Sequence, residues 1–433
     1  MNGVYVARWV IPTSGPMELL YDSEWVSSED ARPLSLSLPF NFDGMPIRGE
    51  HVGFFFDNLL PDSDAIRKRV RDHFRTPTTD AFDLLEAIGR DCVGALQLLP
   101  EGASPEGTTK MSVTRLDDAG VQALLERNLS SVGPIGDDEL DDFRISIAGA
   151  QEKIALTRHD GHWCRPHAST PTTHIFKMPL GLVGGRRIDM RASLENEWLC
   201  SRLLAAYGLP VAACEVQTFG AMKALVVARF DRALHSSKRY WLRLPQEDFC
   251  QVTATPSSRK YEADGGPGIL EIAKVLGGSS ARDEDLDLFL RAQLLFWMLA
   301  ATDGHAKNFS VRILARGEYR LTPLYDVLSA WPIVGGRQNQ VHPKKLKLAM
   351  ALRGTSKHYR VDEIERRHFN ETARRCGLGR GMEPIIADII EKTPRVIEDV
   401  GDALPQDFPE DIFDAVTGGL QKAANKLERM AVE

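Results

Sequence analysis

One stretch, residues 280–326, constrains the fold of this chain more than any other, because it joins a helical pattern to two short strand patterns. The Ser-Ala-Arg-Asp sequence at 280–283 resembles a capping box, and apolar residues then recur at helical spacing. Gly304 ends this pattern, and residues 308–313 and 319–323 are typical of two strands. We therefore expect a buried helix that leads into a polar turn and then into a pair of strands.

The polar residues of this stretch, Asp303, Asn308 and Asp326, have the spacing with which protein kinases organise phosphoryl transfer. In that chemistry one carboxylate orients or deprotonates the acceptor hydroxyl, while an amide oxygen and a second carboxylate hold magnesium against the nucleotide phosphates. Aspartate and asparagine also bond commonly to the local backbone in polar turns. The spacing alone leaves both interpretations open.

A candidate phosphate-binding segment lies upstream. The sequence Ser-Ile-Ala-Gly-Ala-Gln-Glu-Lys at 146–153 places small residues around Gly149, which allows peptide N–H groups to approach oxyanions closely. Lys177 ends a short apolar strand pattern, as a nucleotide-pairing lysine does in kinases. A further buried strand pattern runs to residues 228–230, where an interlobe hinge would contact adenine. Gly149 is equally compatible with a simple hairpin turn.

Two acidic residues, Glu195 and Glu197, lie in the first turn of a helix that we predict to begin near Ser193. Either could orient Lys177 through an ion pair, as a helix glutamate does in protein kinases. Acidic residues also stabilise a helix N-terminus without contacting any lysine. Both roles stay open at this point.

A group of histidines and a cysteine, His159, His162, Cys164 and His167, is close enough in sequence to suggest zinc. However, an Asp-Gly turn between the two strand patterns predicts a hairpin, which directs alternate side chains apart. Zinc ligands must converge on one ion at about 2 Å. Magnesium is therefore the metal that the sequence supports.

Six segments, in the same order along the chain, resemble the HipA toxin kinases of bacterial type II toxin–antitoxin modules. The resemblance extends over essentially the whole chain. It implies an α+β, protein-kinase-like (HipA-like) two-lobed fold, with a mixed α/β N-terminal lobe, an extra N-terminal β-rich subdomain and a mostly α-helical C-terminal lobe. The segments are Phe-Phe-Asp-Asn-Leu-Leu-Pro (55–61), Ser-Ile-Ala-Gly-Ala-Gln-Glu-Lys (146–153), Pro-Thr-Thr-His-Ile-Phe-Lys (171–177), Leu-Pro-Gln-Glu-Asp (244–248), Asp-Gly-Gly-Pro-Gly (264–268) and Ala-Thr-Asp-Gly-His-Ala-Lys-Asn-Phe (301–309).

Carried over residue by residue, the resemblance implies that Asp303 accepts the serine proton and that Asn308 and Asp326 bind Mg²⁺. Ser146 matches the family's autophosphorylated serine, whose modification drives the phosphate loop outward and silences the kinase. The added negative charge beside a triphosphate site gives a physical reason for this silencing. The resemblance implies nucleotide contacts at Ala148, Gly149, Ala150, Gln151, Glu152, Lys153, Lys177, Ala228, Arg229, Phe230, His305, Ala306, Lys307, Asn308, Tyr325, Asp326, Val327 and Leu328.

The same resemblance implies an ATP- and Mg²⁺-dependent serine/threonine protein kinase that acts as a toxin. Its implied target is a serine of glutamate–tRNA ligase, whose phosphorylation would block tRNA charging, lower translation and promote dormancy and antibiotic persistence. The implied partners are a HipB-like helix-turn-helix antitoxin dimer and, through joint repression of the operon, operator DNA. Arg374 is a candidate DNA phosphate contact, and an ordinary solvated helix face is the alternative. A kinase of the same fold with another protein or small-molecule substrate, or a largely non-catalytic corepressor, are the alternative functions.

The composition fits this interpretation, since 433 residues with 43% hydrophobic and 26% charged content indicate a globular chain of two or three compact units. We expect an N-terminal HipA-type subdomain at 1–110, a nucleotide-binding lobe at 111–231 and a helical catalytic lobe at 232–433. A formal net charge of −7 argues against an independent, strongly basic nucleic-acid binder. The six cysteines form no C-x-x-C pair, no stretch of about 18 apolar residues occurs, and the first residues do not resemble a signal peptide. These features predict a cytoplasmic protein without a membrane partner.

Elsewhere, periodicity predicts the remaining elements. Alternating patterns indicate strands at 4–9 and 34–38. Helical patterns occur at 63–74, 80–88, 384–390, 394–400 and 412–430.

Overall fold

The computed structural model describes residues 1–129, 151–185 and 187–432 of the chain. Its strands, in chain order, are β1 (Ala7–Val10), β2 (Glu18–Tyr21), β3 (Ile47–Arg48), β4 (Val113–Leu116), β5 (Lys153–His159), β6 (His162–Pro166), β7 (His174–Lys177), β8 (Gly181–Val183), β9 (Ile188–Met190), β10 (Cys214–Phe219), β11 (Met222–Ala228), β12 (Arg232–Leu234), β13 (Trp241–Arg243), β14 (Gln246–Asp248), β15 (Ser310–Ile313), β16 (Tyr319–Leu321), β17 (Lys347–Arg353) and β18 (Lys357–Arg360). Its α-helices are α1 (Ser23–Val26), α2 (Glu50–Asp57), α3 (Asp64–Phe74), α4 (Ala81–Ile88), α5 (Asp118–Leu129), α6 (Ser193–Ala206), α7 (Phe249–Val252), α8 (Ile269–Leu276), α9 (Arg282–Met298), α10 (Arg366–Arg375), α11 (Glu383–Asp402) and α12 (Glu410–Arg429).

The chain folds into two compact units, and each is assembled from segments that are separated in the sequence. The first unit contains Met1–Lys177, Thr218–Lys260 and Ser310–Tyr319, and the second contains Met178–Gln217, Tyr261–Phe309 and Arg320–Glu433. This division into interleaved segments does not test the three consecutive domains expected from the sequence, which stay a prediction. No helix of the described residues is both long and apolar enough to cross a membrane.

The N-terminal part of the first unit has its own hydrophobic core. Strands β1, β2 and β3 form an antiparallel sheet in that order, and helix α2 packs beside β3. Phe55 and Phe56 of α2 are buried, and the indole of Trp9 stacks on Phe56 with ring centroids 3.9 Å apart. Burying each large apolar side chain contributes roughly 1.5–3 kcal/mol.

A second sheet of the first unit contains the strands predicted to bind nucleotide. Its neighbouring strands run β11–β7–β5–β6–β4, and each pair is antiparallel. Asp160 and Gly161 both have positive φ angles, 47° and 78°, as a two-residue hairpin turn between β5 and β6 requires. The predicted Asp-Gly hairpin is thereby confirmed.

The second unit is organised around helix α9. The indole of Trp297, near the end of this helix, is buried, donates a hydrogen bond to the backbone oxygen of Val361 (3.0 Å) and packs against Phe369. Helices α8 and α12 contact α9, while α11 and α12 pack on each other and on α6. This packing fixes the end of α9, from which the candidate site begins.

Most elements predicted from periodicity are confirmed, including the helices at 63–74, 80–88 and 412–430, the helix from Ser193, and strands β1, β15 and β16. The strand predicted at 34–38 is wrong: Ser35 and Leu38 form only an isolated bridge. The Ser35 side chain is buried and hydrogen-bonds to Glu247, so the alternation there reflects a packed loop. The two helices predicted around 390 are one helix, α11, with Pro394 inside it.

The predicted capping box before α9 is also wrong. The N-cap residue is Ala281, whose side chain cannot accept a hydrogen bond. Instead, the hydroxyl of Ser279 accepts from the Ala281 N–H and donates to the buried carboxylate of Asp285. The N-cap residue therefore lies one position after Ser280, and the side-chain pair of Ser279 and Asp285 holds the start of the helix.

Candidate active site

Asp303 lies in the turn that follows α9. The helix ends before this turn, and the N–H of Ala301 donates to the backbone oxygen of Phe296 at 2.8 Å. Gly304 packs so closely on Phe296 that a Cβ atom there would lie 2.5 Å from the ring. A short 3-10 turn at Ala306–Asn308 then precedes β15. Gly304 is thus needed for close approach to the helix, rather than for ending it as the sequence suggested.

Asn308 joins this turn to the segment that contains Asp326. Its side chain is buried, and Nδ2 donates to the backbone oxygens of Asp303 at 2.9 Å and Asp326 at 3.3 Å. Because an amide nitrogen carries two hydrogens, these bonds use both donors and fix the orientation of the amide. Oδ1 is then the oxygen that Asn308 can offer to a cation.

Asp326 has a left-handed backbone conformation, with φ of 60°. This conformation costs a residue with a side chain about 1–3 kcal/mol, so its surroundings must maintain it. Before Asp326, the hydroxyl of Tyr325 donates to the backbone oxygen of Lys307 at 2.8 Å. After it, the buried amide of Asn196 accepts from the N–H of Ser329 at 2.9 Å and donates to its oxygen at 2.7 Å. Strained residues of this kind cluster at active sites.

The oxygen atoms of Asn308 and Asp326 suit a hard cation such as Mg²⁺. Magnesium is commonly bound by one or two protein oxygens together with substrate phosphates and waters. Among the described residues, no group of three or more His, Cys, Asp and Glu side chains could hold a metal. A pair of one amide and one carboxylate is smaller than such a group, and the chemistry of these two oxygen donors fits Mg²⁺.

The carboxylate of Asp303 is accessible, since 62% of its side-chain surface is exposed. Its Oδ1 accepts a hydrogen bond from the hydroxyl of Tyr261 at 2.5 Å and lies 3.9 Å from Nε2 of His305. The rings of Tyr261 and His305 meet edge to face, with centroids 5.0 Å apart. The carboxylate of Asp303 is thus held on one side and accessible to other molecules.

In the first unit, two of the predicted nucleotide-binding lysines face each other across a strand pair. Lys153 of β5 is the register partner of Lys177 of β7, so their side chains leave the same face of the sheet. Lys177 is buried and is also the register partner of Leu225 on the other side. Next to Lys153, the carboxylate of Glu152 accepts from Arg69 at 2.7 Å and from Asn128 at 3.3 Å.

The predicted hinge, residues 228–230, contains a buried ion-pair network that the sequence reasoning missed. The Arg229 guanidinium donates to both carboxylate oxygens of Asp231, at 3.0 and 2.8 Å, and lies 3.4 Å from an oxygen of Asp91. Arg232 and Arg243 donate to the same Asp91 carboxylate at 2.9 Å. Burial opposes ionisation of Asp91, yet the three guanidinium groups together hold its pKa well below its usual range. The alternating charges at 229–232, directly after an apolar strand, were the available signal.

The remaining predicted residues have the following places. The backbone oxygen of Phe230 accepts a hydrogen bond from the Arg312 side chain at 3.0 Å. His305, Ala306, Lys307 and Val327 are buried, and Tyr325 and Leu328 are half-buried. Ser146, Ala148, Gly149 and Ala150 lie outside the described residues, whereas Gln151 lies at the start of a described segment. Arg374 lies on α10 with its side chain 58% exposed and 3.5 Å from the carboxylate of Glu371, which leaves its contact with DNA a prediction.

Matches to known domains cover most of the chain. Residues 7–99 match the HipA N-terminal domain, and residues 145–397 match the HipA-like C-terminal domain. The chain belongs to the HipA family. The resemblance predicted from the six sequence segments is therefore confirmed.

Individual relatives agree with this assignment. Y4mE of Sinorhizobium fredii, a protein named as a kinase, is 32% identical over 412 residues, which are 93% of this chain and 91% of that protein. The serine/threonine-protein kinase toxin HipA of Shewanella oneidensis is 26% identical over 335 residues, which are 73% of this chain and 71% of that protein. A solved structure from Shewanella oneidensis, of HipA with HipB and operator DNA, matches with a TM-score of 0.79 and 21% identity, over 99% of this chain and 96% of that one. The predicted α+β, HipA-like fold is confirmed.

Proposed function

We propose that this HipA-family chain is an ATP- and Mg²⁺-dependent serine/threonine protein kinase that acts as the toxin of a type II toxin–antitoxin module. The observation that carries the proposal is the pair of hydrogen bonds from Asn308 to the backbones of Asp303 and Asp326. These bonds bring together, within one compact unit, the three residue types that phosphoryl transfer requires. The left-handed backbone of Asp326 supports the same interpretation.

In the proposed reaction, the Asp303 carboxylate accepts the proton of a serine hydroxyl. The hydroxyl oxygen forms a bond to the γ-phosphorus of ATP, while the bond from this phosphorus to the β–γ bridging oxygen breaks. The bridging oxygen keeps the electron pair, and ADP leaves. Asn308 and Asp326 would hold Mg²⁺, which when bound neutralises charge on the phosphates.

We assign nucleotide binding to the residues that the family resemblance selects. Lys177 would bind the phosphates, supported by Lys153 on the neighbouring strand. At the hinge, the side chain of Arg229 is occupied by Asp231, so contact with adenine would use main-chain groups of residues 228–230. The segments around His305 and Tyr325 would contribute further contacts beside Asn308 and Asp326.

The proposed target is a serine of glutamate–tRNA ligase, with self-modification at Ser146 as the inactivating step. The proposed partners are a HipB-like antitoxin dimer and operator DNA, and the proposed compartment is the cytoplasm. Support for these partners comes from the family and from the HipB and DNA named with the Shewanella oneidensis structure. The exposed side chain of Arg374 is consistent with contact to a DNA phosphate.

Mass spectrometry after incubation with ATP and Mg²⁺, with and without glutamate–tRNA ligase, tests this function. The test variant is Asp303→Asn, which removes the proton acceptor with little change in shape. Asp283→Asn is the matched control, because the Asp283 side chain is 93% exposed at the start of α9. We expect phosphate on Ser146 and on the ligase with the wild type and the control, and none with Asp303→Asn.

Other results would separate the parts of the proposal. Phosphate on Ser146 alone would retain the kinase and exclude the ligase as its target. Phosphate on neither protein with the wild type would contradict the kinase function. Equal phosphate incorporation by Asp303→Asn and the wild type would contradict the assigned role of Asp303.

A further inference from the structure

The two carboxylate oxygens of Asp303 have different surroundings. Oδ1 accepts the hydroxyl hydrogen of Tyr261 at 2.5 Å and faces Nε2 of His305 at 3.9 Å. Within the described residues, no side chain donates to Oδ2, and 62% of the side-chain surface is exposed. One oxygen is therefore held by the protein, while the other is available to an acceptor hydroxyl.

Tyr261 is held in place by its neighbour. Glu262 is buried, and its carboxylate accepts from the N–H of Ala351 at 2.7 Å. The same carboxylate pairs with Arg353 at 2.8 Å and with Lys357 at 2.9 Å, on the β17–β18 hairpin. A buried carboxylate with three partners gives its adjacent residue a fixed position.

The glycine-rich loop that follows is closed on itself by the backbone of Tyr261. Its oxygen accepts from the N–H groups of Asp264 at 3.0 Å and Gly266 at 2.9 Å. At the end of the loop, Gly268 packs on Glu262 so closely that a Cβ atom would lie 2.3 Å from the carboxylate carbon. The Tyr261 hydroxyl is thus presented to Asp303 by a packed loop.

We propose that Tyr261 is a positioning residue for phosphoryl transfer, an assignment that rests on the proposed kinase function. The carboxylate of an aspartate rotates in a broad, roughly two-fold well, so the hydrogen bond at Oδ1 selects one orientation of its plane. In that orientation Oδ2 receives the acceptor proton while Tyr261 keeps its own. Orientation errors of about 1 Å at a reacting group can cost about 100-fold in rate.

The test is Tyr261→Phe, which removes the hydroxyl and keeps the ring against His305. Tyr5→Phe is the matched control, because Tyr5 is 62% exposed. The probe is ATP with Mg²⁺, and the measurements are the rate of phosphate incorporation at saturating ATP and the ATP dissociation constant. We expect the rate to fall about tenfold or more, since the acceptor is no longer oriented, while the ATP dissociation constant stays within about twofold.

Four results would overturn this assignment. A rate equal to that of Tyr5→Phe would show that the hydroxyl does not position Asp303, and a faster rate would show that it blocks the acceptor. A parallel loss of rate, ATP binding and thermal stability would assign Tyr261 to folding. Absence of transfer by the wild type would instead refute the proposed kinase function, and the positioning role with it.

Discussion

Replacing Asp91 by asparagine should destabilise the first unit strongly, because this carboxylate lies at the centre of a buried cluster of charges. Oδ1 accepts from Arg232 and Arg243 at 2.9 Å, and the hydroxyl of Thr172 donates to Oδ2 at 2.6 Å. Only 6% of the Asp91 side-chain surface is exposed. Water therefore has little access to solvate the arginine side chains that lose this carboxylate.

The magnitude follows from the charges that stay behind. Without the Asp91 carboxylate, Arg229 and Arg232 would keep the carboxylate of Asp231, whereas Arg243 would lose the carboxylate that it contacts. Removing one partner from a buried ion pair costs about 3–5 kcal/mol. Asparagine keeps one acceptor oxygen, so we expect a cost of about 3 kcal/mol, which corresponds to a fall of about 6–12 °C in melting temperature for a unit of about 230 residues.

Thermal unfolding of purified protein at neutral pH measures this effect. Asp30→Asn is the matched control, because the Asp30 side chain is 85% exposed and 3.7 Å from Arg32, and exposed pairs of this kind contribute about 0–1 kcal/mol. The pKa of Asp91 is lowered in the folded state, so its contribution is present above the unfolded pKa and is lost as the pH falls below about 4. Asp91→Asn should therefore also lose less stability than the wild type on acidification. Equal melting temperatures for Asp91→Asn and Asp30→Asn would refute the reasoning.

Three further predictions concern other parts of the chain. Burial raises the pKa of Glu247 to about 8 from 4.5, so the folded state retains a proton that the unfolded chain releases, and the free energy of unfolding should fall as the pH rises through this range. Urea titrations at several pH values should show a smaller fall for Glu247→Gln, and a fall equal to that of the wild type would count against this role of Glu247. Gly304→Ala should lower the unfolding free energy by about 1–3 kcal/mol because a methyl group collides with Phe296, whereas Gly336→Ala, with nothing within 4 Å, should be nearly neutral; two equal values would disprove the close contact. Asn308→Ala should raise the Mg²⁺ concentration needed for half-maximal phosphate transfer about tenfold or more, and an unshifted Mg²⁺ titration would remove Asn308 from the metal site.

The order of elements around Asp303 could be predicted from the sequence, because it depends on local signals. Helical periodicity identified α9, and the strand patterns at residues 308–313 and 319–323 identified β15 and β16. The same local rules failed for residues 34–38, where the pattern of a strand belongs to a loop that places Ser35 on the distant Glu247. The cap of α9 failed for a related reason, since Ser279 and Asp285 act as a pair.

The parts of the candidate site that depend on distant residues could not be predicted. Arg229 and Asp231 are near neighbours in the sequence, but Arg229 and Asp91 are 138 positions apart. The hydroxyl of Tyr261 reaches Asp303 across 42 positions, and nothing in the spacing of either residue indicates that contact. The left-handed backbone of Asp326 is set by the packing around it, since aspartate adopts other conformations more readily.

The most direct test of the central claim is the rate of phosphate transfer from ATP and Mg²⁺ by Asp303→Asn, compared with the wild type and with Asp283→Asn. Removing a positioned proton acceptor typically costs about 100- to 10,000-fold in rate. We predict a loss of at least about 100-fold for Asp303→Asn with ATP binding retained, and no loss for Asp283→Asn. Transfer by Asp303→Asn at the wild-type rate would contradict the claim that Asp303, Asn308 and Asp326 form the phosphoryl-transfer site.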